Sequence, residues 1–212
     1  MPVLATVIGD VVGSRRTTDR SSLHAGLVAA LADVNEELAP ATPLRLTVGD
    51  EYQGCFSTVG EAARATLLLR LALGPQIDVR HGIGLGDVSA LSDEPRIEDG
   101  PGWWAAREAI DQVAARQREA ARRRLRTSYV AGTDSETRPD PAALNAALMA
   151  RDELLGRLDA VSLSVLAGML RGMSQRDLAR DLGISPSAVS QRVRRDGLAV
   201  LVDIDRSLGE VA

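Results

Sequence analysis

Lysine is absent from this chain of 212 residues, so all 25 basic side chains are arginine. Aromatic residues are scarce as well: the chain has two Trp, two Tyr and one Phe. A core must therefore be built mainly from Leu, Val, Ile and Ala. A single cysteine, Cys55, excludes an internal disulfide and fits a reducing compartment. The net charge is −4, so any surface that binds nucleic acid has to be local.

Long apolar runs are also missing. No stretch approaches the roughly 18 consecutive apolar residues of a membrane span, and no basic segment precedes an apolar run as in a signal peptide. We therefore expect a soluble, cytoplasmic protein with no membrane partner. The length allows one large domain or two small ones.

The rest of the sequence is organised around the stretch from Leu46 to Phe56. Apolar residues lead into Gly49, the adjacent acids Asp50 and Glu51 follow, and the chain leaves through Gly54. This order predicts two strands joined by a tight turn that carries the acids. A solvated polar turn is the simplest interpretation, because Gly-Asp is a common turn dipeptide.

A second Gly-Asp pair ends the apolar strand predicted from Val3 to Ile8. If the two strands are neighbours, Asp10 and Asp50 would bring two carboxylates within reach of one hard cation. Mg²⁺ is usually held by only one or two protein carboxylates, with phosphate and water completing its octahedron. The following Gly-containing loop, residues 11–16, could bind phosphate through its backbone N–H groups, although such a spacing is common.

The element order predicted for residues 1–131 is β-α-β-β-α-β-α-β. This order favours an α+β domain, an antiparallel sheet with helices packed on one face. Glycines at 82, 84 and 86 in one strand indicate that another backbone or a ligand passes close, or that a helix packs there. Residues 93–102 are expected to form a loop, and a long helix is expected from Trp103 to about Arg126.

The residues after a polar linker at 132–141 are expected to be purely helical, and we predict a second, all-α domain at 142–212. Ser174 and Ser185 are suited to cap two short helices, with Gly183 in the turn and Pro186 in the first turn of the second helix. This pattern predicts a helix-turn-helix whose second helix enters the major groove of DNA. The candidate DNA-binding residues are Arg176, Ser185, Ser187, Ser190, Gln191, Arg194 and Arg195.

Four motifs, in this order, resemble those of the SatD family. They are Ile8–Arg15, Thr47–Gly54, Arg80–Val88 and Asp99–Ile110, and the resemblance covers roughly residues 1–131. The C-terminal part resembles the helix-turn-helix modules of sigma factors. Membership of the SatD family implies little about activity.

The same motifs are similar, more remotely, to those of class III nucleotide cyclases, and Gly-Asp-Glu-Tyr is similar to the signature of diguanylate cyclases. This resemblance implies a ferredoxin-like palm that holds Mg²⁺ (or Mn²⁺) with a nucleotide. It implies metal ligands at Asp10, the Val11 carbonyl, Asp50 and Glu51. The nucleotide-binding positions it implies are Val12, Gly13, Ser14, Arg15, Gly49, Trp103 and Arg107, and Arg107 would be catalytic only in an enzyme.

Two positions depart from the cyclase pattern. Leu46 replaces a base-recognising Lys, and Trp103 replaces an Asn that orients ribose and developing charge. Trp103 or Trp104 could stack on a base, or could belong to the core. Three hypotheses remain. The first is a DNA-binding regulator whose palm senses a nucleotide or a cyclic or oligonucleotide ligand, and the resemblance of both parts implies that it is a homodimer. The others are an active nucleotidyl cyclase or nucleotidyltransferase, and a DNA-binding protein with a vestigial palm.

Overall fold

The computed structural model describes residues 2–14, 19–94, 96–132 and 138–212. Arg15 and half of the predicted linker, residues 133–137, lie outside the described residues. The strands are β1 (Val3–Val11), β2 (Thr42–Leu46), β3 (Tyr52–Phe56), β4 (Val79–Asp87), β5 (Ser89–Asp93), β6 (Arg96–Asp99) and β7 (Thr127–Ala131). The helices are α1 (Arg20–Leu38), α2 (Val59–Leu73), α3 (Pro101–Arg116), α4 (Pro141–Leu155), α5 (Ala160–Leu170), α6 (Gln175–Asp181), α7 (Pro186–Arg195) and α8 (Leu198–Gly209).

The main sheet has the strand order β2-β3-β1-β4-β7. Strand β1 lies in the middle and runs antiparallel to both β3 and β4, while β7 runs parallel to β4. The first four strands with α1 and α2 form the split βαβ arrangement of ferredoxin-like folds. The predicted α+β class and ferredoxin-like order are therefore confirmed.

Helices cover both faces of this sheet, so the prediction of helices on one face is wrong. The glycine side of β4 explains the difference. A Cβ on Gly82 would lie 2.1 Å from the carbonyl oxygen of Ala106, and one on Gly84 would lie 2.2 Å from that of Gly102. Only glycines let the backbone of α3 approach so closely. The alternate residues of β4, including Ile83, face the core formed with α1 and α2.

The segment between α3 and β7 also differs from the prediction of one long helix. Helix α3 ends at Arg116, and a 3₁₀ turn follows at Ala120–Arg122. The Gln117 side chain donates from Nε2 to the carbonyl oxygen of Leu125 at 2.7 Å, which fixes the chain after the helix. An Arg- and Ala-rich composition favours helix throughout this segment, and the tertiary hydrogen bond overrides it.

Residues 93–102 are not a simple loop, because they contain β6, which pairs with β5 in a separate two-stranded sheet. The side chain of Glu98 on β6 accepts a hydrogen bond from Thr42 Oγ1 on β2 at 2.9 Å. The sequence did not predict β6, because a strand of four mostly polar residues is too short to show the alternation of apolar and polar residues typical of strands.

The C-terminal helices pack directly against the ferredoxin-like part. Leu144 and Leu148 of α4 and Leu208 of α8 belong to the same apolar core as the sheet. A second apolar core lies among α5 to α8 and includes Leu67 of α2. The division into 1–131, a linker and 142–212 stays a prediction.

Among the described residues, no helix combines the length and the apolar character that a membrane crossing requires.

Candidate functional site

The ends of β1 and the β2–β3 turn meet at one edge of the sheet, because β1 and β3 are neighbours as predicted. Their pairing runs to Gly9 opposite Tyr52, so Asp10 follows directly on β1, and Asp50 lies in the turn two residues before Tyr52. Both acids line a single cavity of about 530 Å³, together with Gly13 and Ser14. We call it the carboxylate pocket. Sequence motifs about 40 residues apart are therefore brought together by one strand pair.

Arg80 of β4 is the functional residue that sequence reasoning missed. It lies opposite Asp10 in the β1–β4 register, and its Nε and Nη2 donate to the two carboxylate oxygens of Asp10 at 2.6 and 2.7 Å. Hydrogen bonding to Asp10 raises the pKa of the Arg80 guanidinium. The available signal was a charged side chain just before the run of β4 that is rich in glycine, residues 82–86.

The β2–β3 turn fixes the other two acids in different directions. Gly49 has a φ of +67°, which favours glycine at this position. Asp50 Oδ2 accepts a hydrogen bond from the Val11 N–H at 3.3 Å, and so points toward the end of β1. Glu51 instead forms a two-point ion pair with Arg107 of α3, at 2.7 and 2.8 Å.

The structure places the predicted nucleotide-binding residues in several environments. Gly13 and Ser14 line the carboxylate pocket, whereas Val12 lines a neighbouring cavity. Gly49 belongs to the β2–β3 turn. The half-exposed Arg107 forms an ion pair with Glu51, which lines the pocket.

Trp103 does not reach the pocket. It is only 7% exposed and packs in the apolar cluster between α3 and the sheet, with Ile8 and Cys55. The core alternative therefore describes this residue, and base stacking by Trp103 has to be withdrawn. Trp104 is the exposed neighbour, and its Nε1 donates to Asp99 at 2.9 Å.

The side chains that line the pocket decide which metal ions it could bind. The described residues contain no group of three or more His, Cys, Asp and Glu side chains that could enclose a metal ion. Two carboxylates that line one open cavity, Asp10 and Asp50, suit a hard cation completed by phosphate oxygens and water. Each carboxylate oxygen has two lone-pair positions, so the contact of Asp10 with Arg80 leaves acceptor capacity for a cation.

A buried polar pair lies beneath the pocket. Tyr52 Oη and His81 Nε2 are 2.7 Å apart, and both residues are completely buried. Gly9 has to be glycine here, since a Cβ would lie 2.3 Å from the Tyr52 ring. Burial and the nearby charges of Arg70 and Arg151 hold the pKa of His81 well below its ordinary value of 6.5.

This low pKa predicts that acid destabilises the protein through His81. The unfolded chain protonates His81 below about pH 6.5, while the folded protein keeps it neutral. The free energy of unfolding should therefore fall as the pH is lowered below 6.5, by up to about 1.4 kcal/mol per pH unit from this residue. Urea titrations between pH 7 and 5 measure this slope.

The chain offers a matched control, because its other histidine, His24, is exposed on α1. His81→Gln should flatten the slope, and His24→Gln should leave it as in the parent protein. Equal slopes in the two variants would show that His81 does not control the acid response.

Helices α6 and α7 follow the predicted boundaries. Ser174 Oγ accepts from the Asp177 N–H, and Ser185 Oγ accepts from the Ala188 N–H, so both predicted caps are confirmed. Gly183 has a φ of +65° in the short turn between the helices. Ile184 then donates its N–H to the Ala179 carbonyl at 3.0 Å, which closes the C-terminal turn of α6.

The outer side of α7 is polar, but its arginines differ in their partners. Arg192 turns inward to Asp159 and Ser162 at the start of α5, each at 2.7 Å. Arg195 pairs with Asp196 at 2.6 Å. Arg194, like Arg176 of α6, is exposed and forms no side-chain ion pair or hydrogen bond within the described residues. Ser185, Ser187 and Gln191 are exposed as well, and Ser190 is half-buried.

The comparison with protein families identifies the chain. The SatD family model matches residues 4–207. The chain belongs to the SatD family. The match continues past residue 131, where the motif resemblance stopped, and includes the helices α4 to α8.

Solved structures similar to this SatD family chain are nucleotide cyclase domains. The catalytic core of a rhodopsin-guanylyl cyclase in complex with ATPalphaS is 18% identical over 52% of this chain and 72% of its own, with a TM-score of 0.45. The dimeric guanylyl cyclase domain of the RhoGC fusion protein from the aquatic fungus Blastocladiella emersonii is 17% identical over 52% and 74%, at 0.44.

A bacterial light-regulated adenylyl cyclase is 11% identical over 63% of this chain and 46% of its own, with a TM-score of 0.46. No curated protein matches the chain. At such scores the cyclases support no conclusion on activity, and the fold assignment above depends on the strand order alone.

Proposed function

We propose that this protein is a DNA-binding regulator whose ferredoxin-like part binds a nucleotide together with Mg²⁺ (or Mn²⁺). The observation that carries the proposal is the carboxylate pocket, where Asp10 of β1 and Asp50 of the β2–β3 turn line one cavity of about 530 Å³. Gly13 and Ser14 in its wall supply backbone N–H groups of the kind that bind phosphate.

The metal ion would be held by Asp10 and Asp50, with the Val11 carbonyl as a further ligand. Bound there, it would neutralise phosphate charge and orient the phosphate chain. Arg80, paired with Asp10, adds a fixed positive charge at the pocket wall. Glu51 is engaged by Arg107, so it is a weaker candidate for a metal ligand than the two aspartates.

Two observations favour binding over turnover. Arg107, the residue expected to stabilise a transition state, is tied to Glu51 by two hydrogen bonds. Trp103 is in the core, where it offers nothing to a ribose or a base. A group that binds the transition state has to be free to meet developing charge.

An active nucleotidyl cyclase or nucleotidyltransferase is the second candidate, because Asp10, Asp50, Glu51 and Arg107 all remain near one pocket. Incubating the protein with Mg²⁺ and each nucleoside triphosphate, followed by chromatography, separates the two. Unconverted nucleotide that co-elutes with the protein supports a sensor. A new nucleotide product that is lost in Arg107→Ala would establish the enzyme instead.

The DNA-binding role is proposed for α6 and α7 as a helix-turn-helix. The support is their tight turn, the capped start of α7 and the unpaired arginines Arg176 and Arg194. Polar side chains near the start of α7 are suited to base edges, and arginine is suited to phosphates. A homodimer would place two such helices about 34 Å apart, one turn of DNA.

Arg194→Gln is expected to weaken DNA binding across sequences, because it removes an exposed charge without an intramolecular partner. The slope of log K against log salt should fall in magnitude by about 1 for one lost phosphate contact. Fluorescence anisotropy with a mixed-sequence duplex at several salt concentrations measures both effects. Arg206→Gln, which removes an exposed arginine of α8, is the control. Equal affinity and slope in Arg194→Gln and the parent protein would remove Arg194 from the interface.

Direct packing supports communication between the two parts. Helix α4 shares the core of the sheet through Leu144 and Leu148, and α8 contacts α2 at Gly60, whose N–H donates to the Val211 carbonyl at 2.9 Å. A ligand changes the DNA-binding helices only if it binds two arrangements of these contacts with different affinity. A cytoplasmic location belongs to this proposal and follows from its DNA and nucleotide ligands.

A further inference from the structure

A second cavity, of about 420 Å³, lies behind the carboxylate pocket and shares Arg80 with it. Arginines dominate its lining: besides Arg80, they are Arg118, Arg123 and Arg126, and none of the described acidic residues lines it. We call it the arginine pocket. In a chain with a net charge of −4, such a concentration of one charge in one cavity requires an explanation.

Two of the four guanidinium groups have no counter-charge. Arg80 pairs with Asp10, and Arg126 pairs with Asp78 through two contacts of 2.7 Å. The exposed side chains of Arg118 and Arg123 make no hydrogen bond or ion pair with any residue in the described ranges. The lining therefore carries an excess of two positive charges after the internal pairs are counted.

The backbone of this region is held by specific contacts. Gln117 donates from its side chain to the Leu125 carbonyl at 2.7 Å. The guanidinium of Arg126 donates to the Arg123 carbonyl at 2.6 Å. On the opposite wall, the Val12 N–H donates to the Asp78 carbonyl at 2.8 Å. Hydrogen bonds therefore fix the backbone on both sides of the cavity, and this fixes the positions from which the arginine side chains extend.

We propose that the arginine pocket binds a polyphosphate group without a metal ion. Guanidinium groups bind phosphate oxygens in pairs, through planar N–H forks that match the geometry of the anion. A ligand with two or three linked phosphates can contact several arginines around one cavity at once, whereas a ligand with a single carboxylate cannot. This site differs from the proposed metal–nucleotide site in its donors: Arg80 lines both pockets, but only the carboxylate pocket contains Asp10 and Asp50.

The proposal is tested by isothermal titration of the full chain with sodium tripolyphosphate in EDTA, at fixed ionic strength. We expect saturable binding, and the double variant Arg118→Gln/Arg123→Gln should weaken it at least about tenfold. Binding should persist in Asp50→Asn, which removes a carboxylate of the carboxylate pocket and leaves the pair of Arg80 with Asp10 in place. That persistence separates this site from the proposed metal–nucleotide site, which depends on Asp50.

The matched control is the double variant Arg116→Gln/Arg122→Gln, which removes the same charge from the same segment but outside the arginine pocket. It should retain the affinity of the parent protein within about twofold. Absence of binding by the parent protein would overturn the proposal. Equal weakening in the two double variants would do so as well, because it would reduce the effect to overall charge.

Discussion

Replacing Asp152 by alanine is expected to lower the free energy of unfolding by about 3–5 kcal/mol. Asp152 is completely buried on α4 and accepts from Arg70 at 2.5 Å and from the backbone N–H groups of Arg126 and Thr127 at 2.7 and 2.6 Å. Its removal leaves these donors without an acceptor. A buried charge that loses its partner costs far more than an exposed one.

The neighbouring Arg151 increases this cost. It is also completely buried, and it donates to the Ala63 carbonyl at 2.7 Å and to Thr66 Oγ1 at 2.9 Å on α2. Burial lowers its pKa to about 10, so it stays charged at neutral pH. Asp152 is the acid beside it, with the Arg151 Nε at 3.9 Å.

Urea unfolding of Asp152→Ala and of the adjacent variant Glu153→Ala tests this prediction. Glu153 forms exposed pairs with Arg124 and Arg157, so its loss should change stability little. If Asp152→Ala yields no folded protein, Asp152→Asn, which keeps the shape of the side chain, provides a measurable intermediate. An Asp152→Ala variant as stable as Glu153→Ala would refute the stabilising role of this buried cluster.

The second large effect concerns the carboxylate pocket. Asp10→Asn and Asp50→Asn should each weaken Mg²⁺-dependent nucleotide binding at least about 100-fold, equivalent to about 2.7 kcal/mol. Asparagine keeps the shape of each side chain and removes the charge that a hard cation requires. Asp10 is on β1 and Asp50 is in the β2–β3 turn, so equal losses would show that two separate segments serve one site.

Calorimetric titration with Mg²⁺ and with EDTA measures this loss, and Asp33→Asn is the control. Asp33 is exposed on α1 and does not line the pocket. Asp10→Asn also loses its ion pair with Arg80, so its thermal stability has to be checked first. Unchanged nucleotide affinity in either pocket variant would exclude that residue from the site.

Features that depend on neighbouring residues could be predicted from the sequence. Capping serines precede α6 and α7, and the glycines of β4 reveal that another backbone approaches, as it does at α3. The Gly-Asp pairs marked the ends of two strands, and the ferredoxin-like order placed those strands together. These signals are local, because capping, turn chemistry and side-chain size act within a few residues.

Features that depend on distant partners could not be predicted. The pairs Asp10–Arg80 and Glu51–Arg107 join residues 70 and 56 positions apart. Neither the strand register nor the position of α3 follows from the residues themselves. Likewise, the sequence does not indicate that Arg192 pairs with Asp159, 33 positions earlier in the chain. The fold determines which groups lie within reach of a long polar side chain, so its partner cannot be read from the adjacent sequence.

The most direct test of the central claim is the melting temperature of the purified protein with a panel of nucleotides, in Mg²⁺ and then in EDTA. A ligand at about 100 times its dissociation constant adds about 2.7 kcal/mol, or about 5–10 °C for a chain of this length. We expect one nucleotide to produce this shift in Mg²⁺ and not in EDTA. No shift with any nucleotide in Mg²⁺ would contradict the account and leave the ferredoxin-like part as a scaffold for the C-terminal helices.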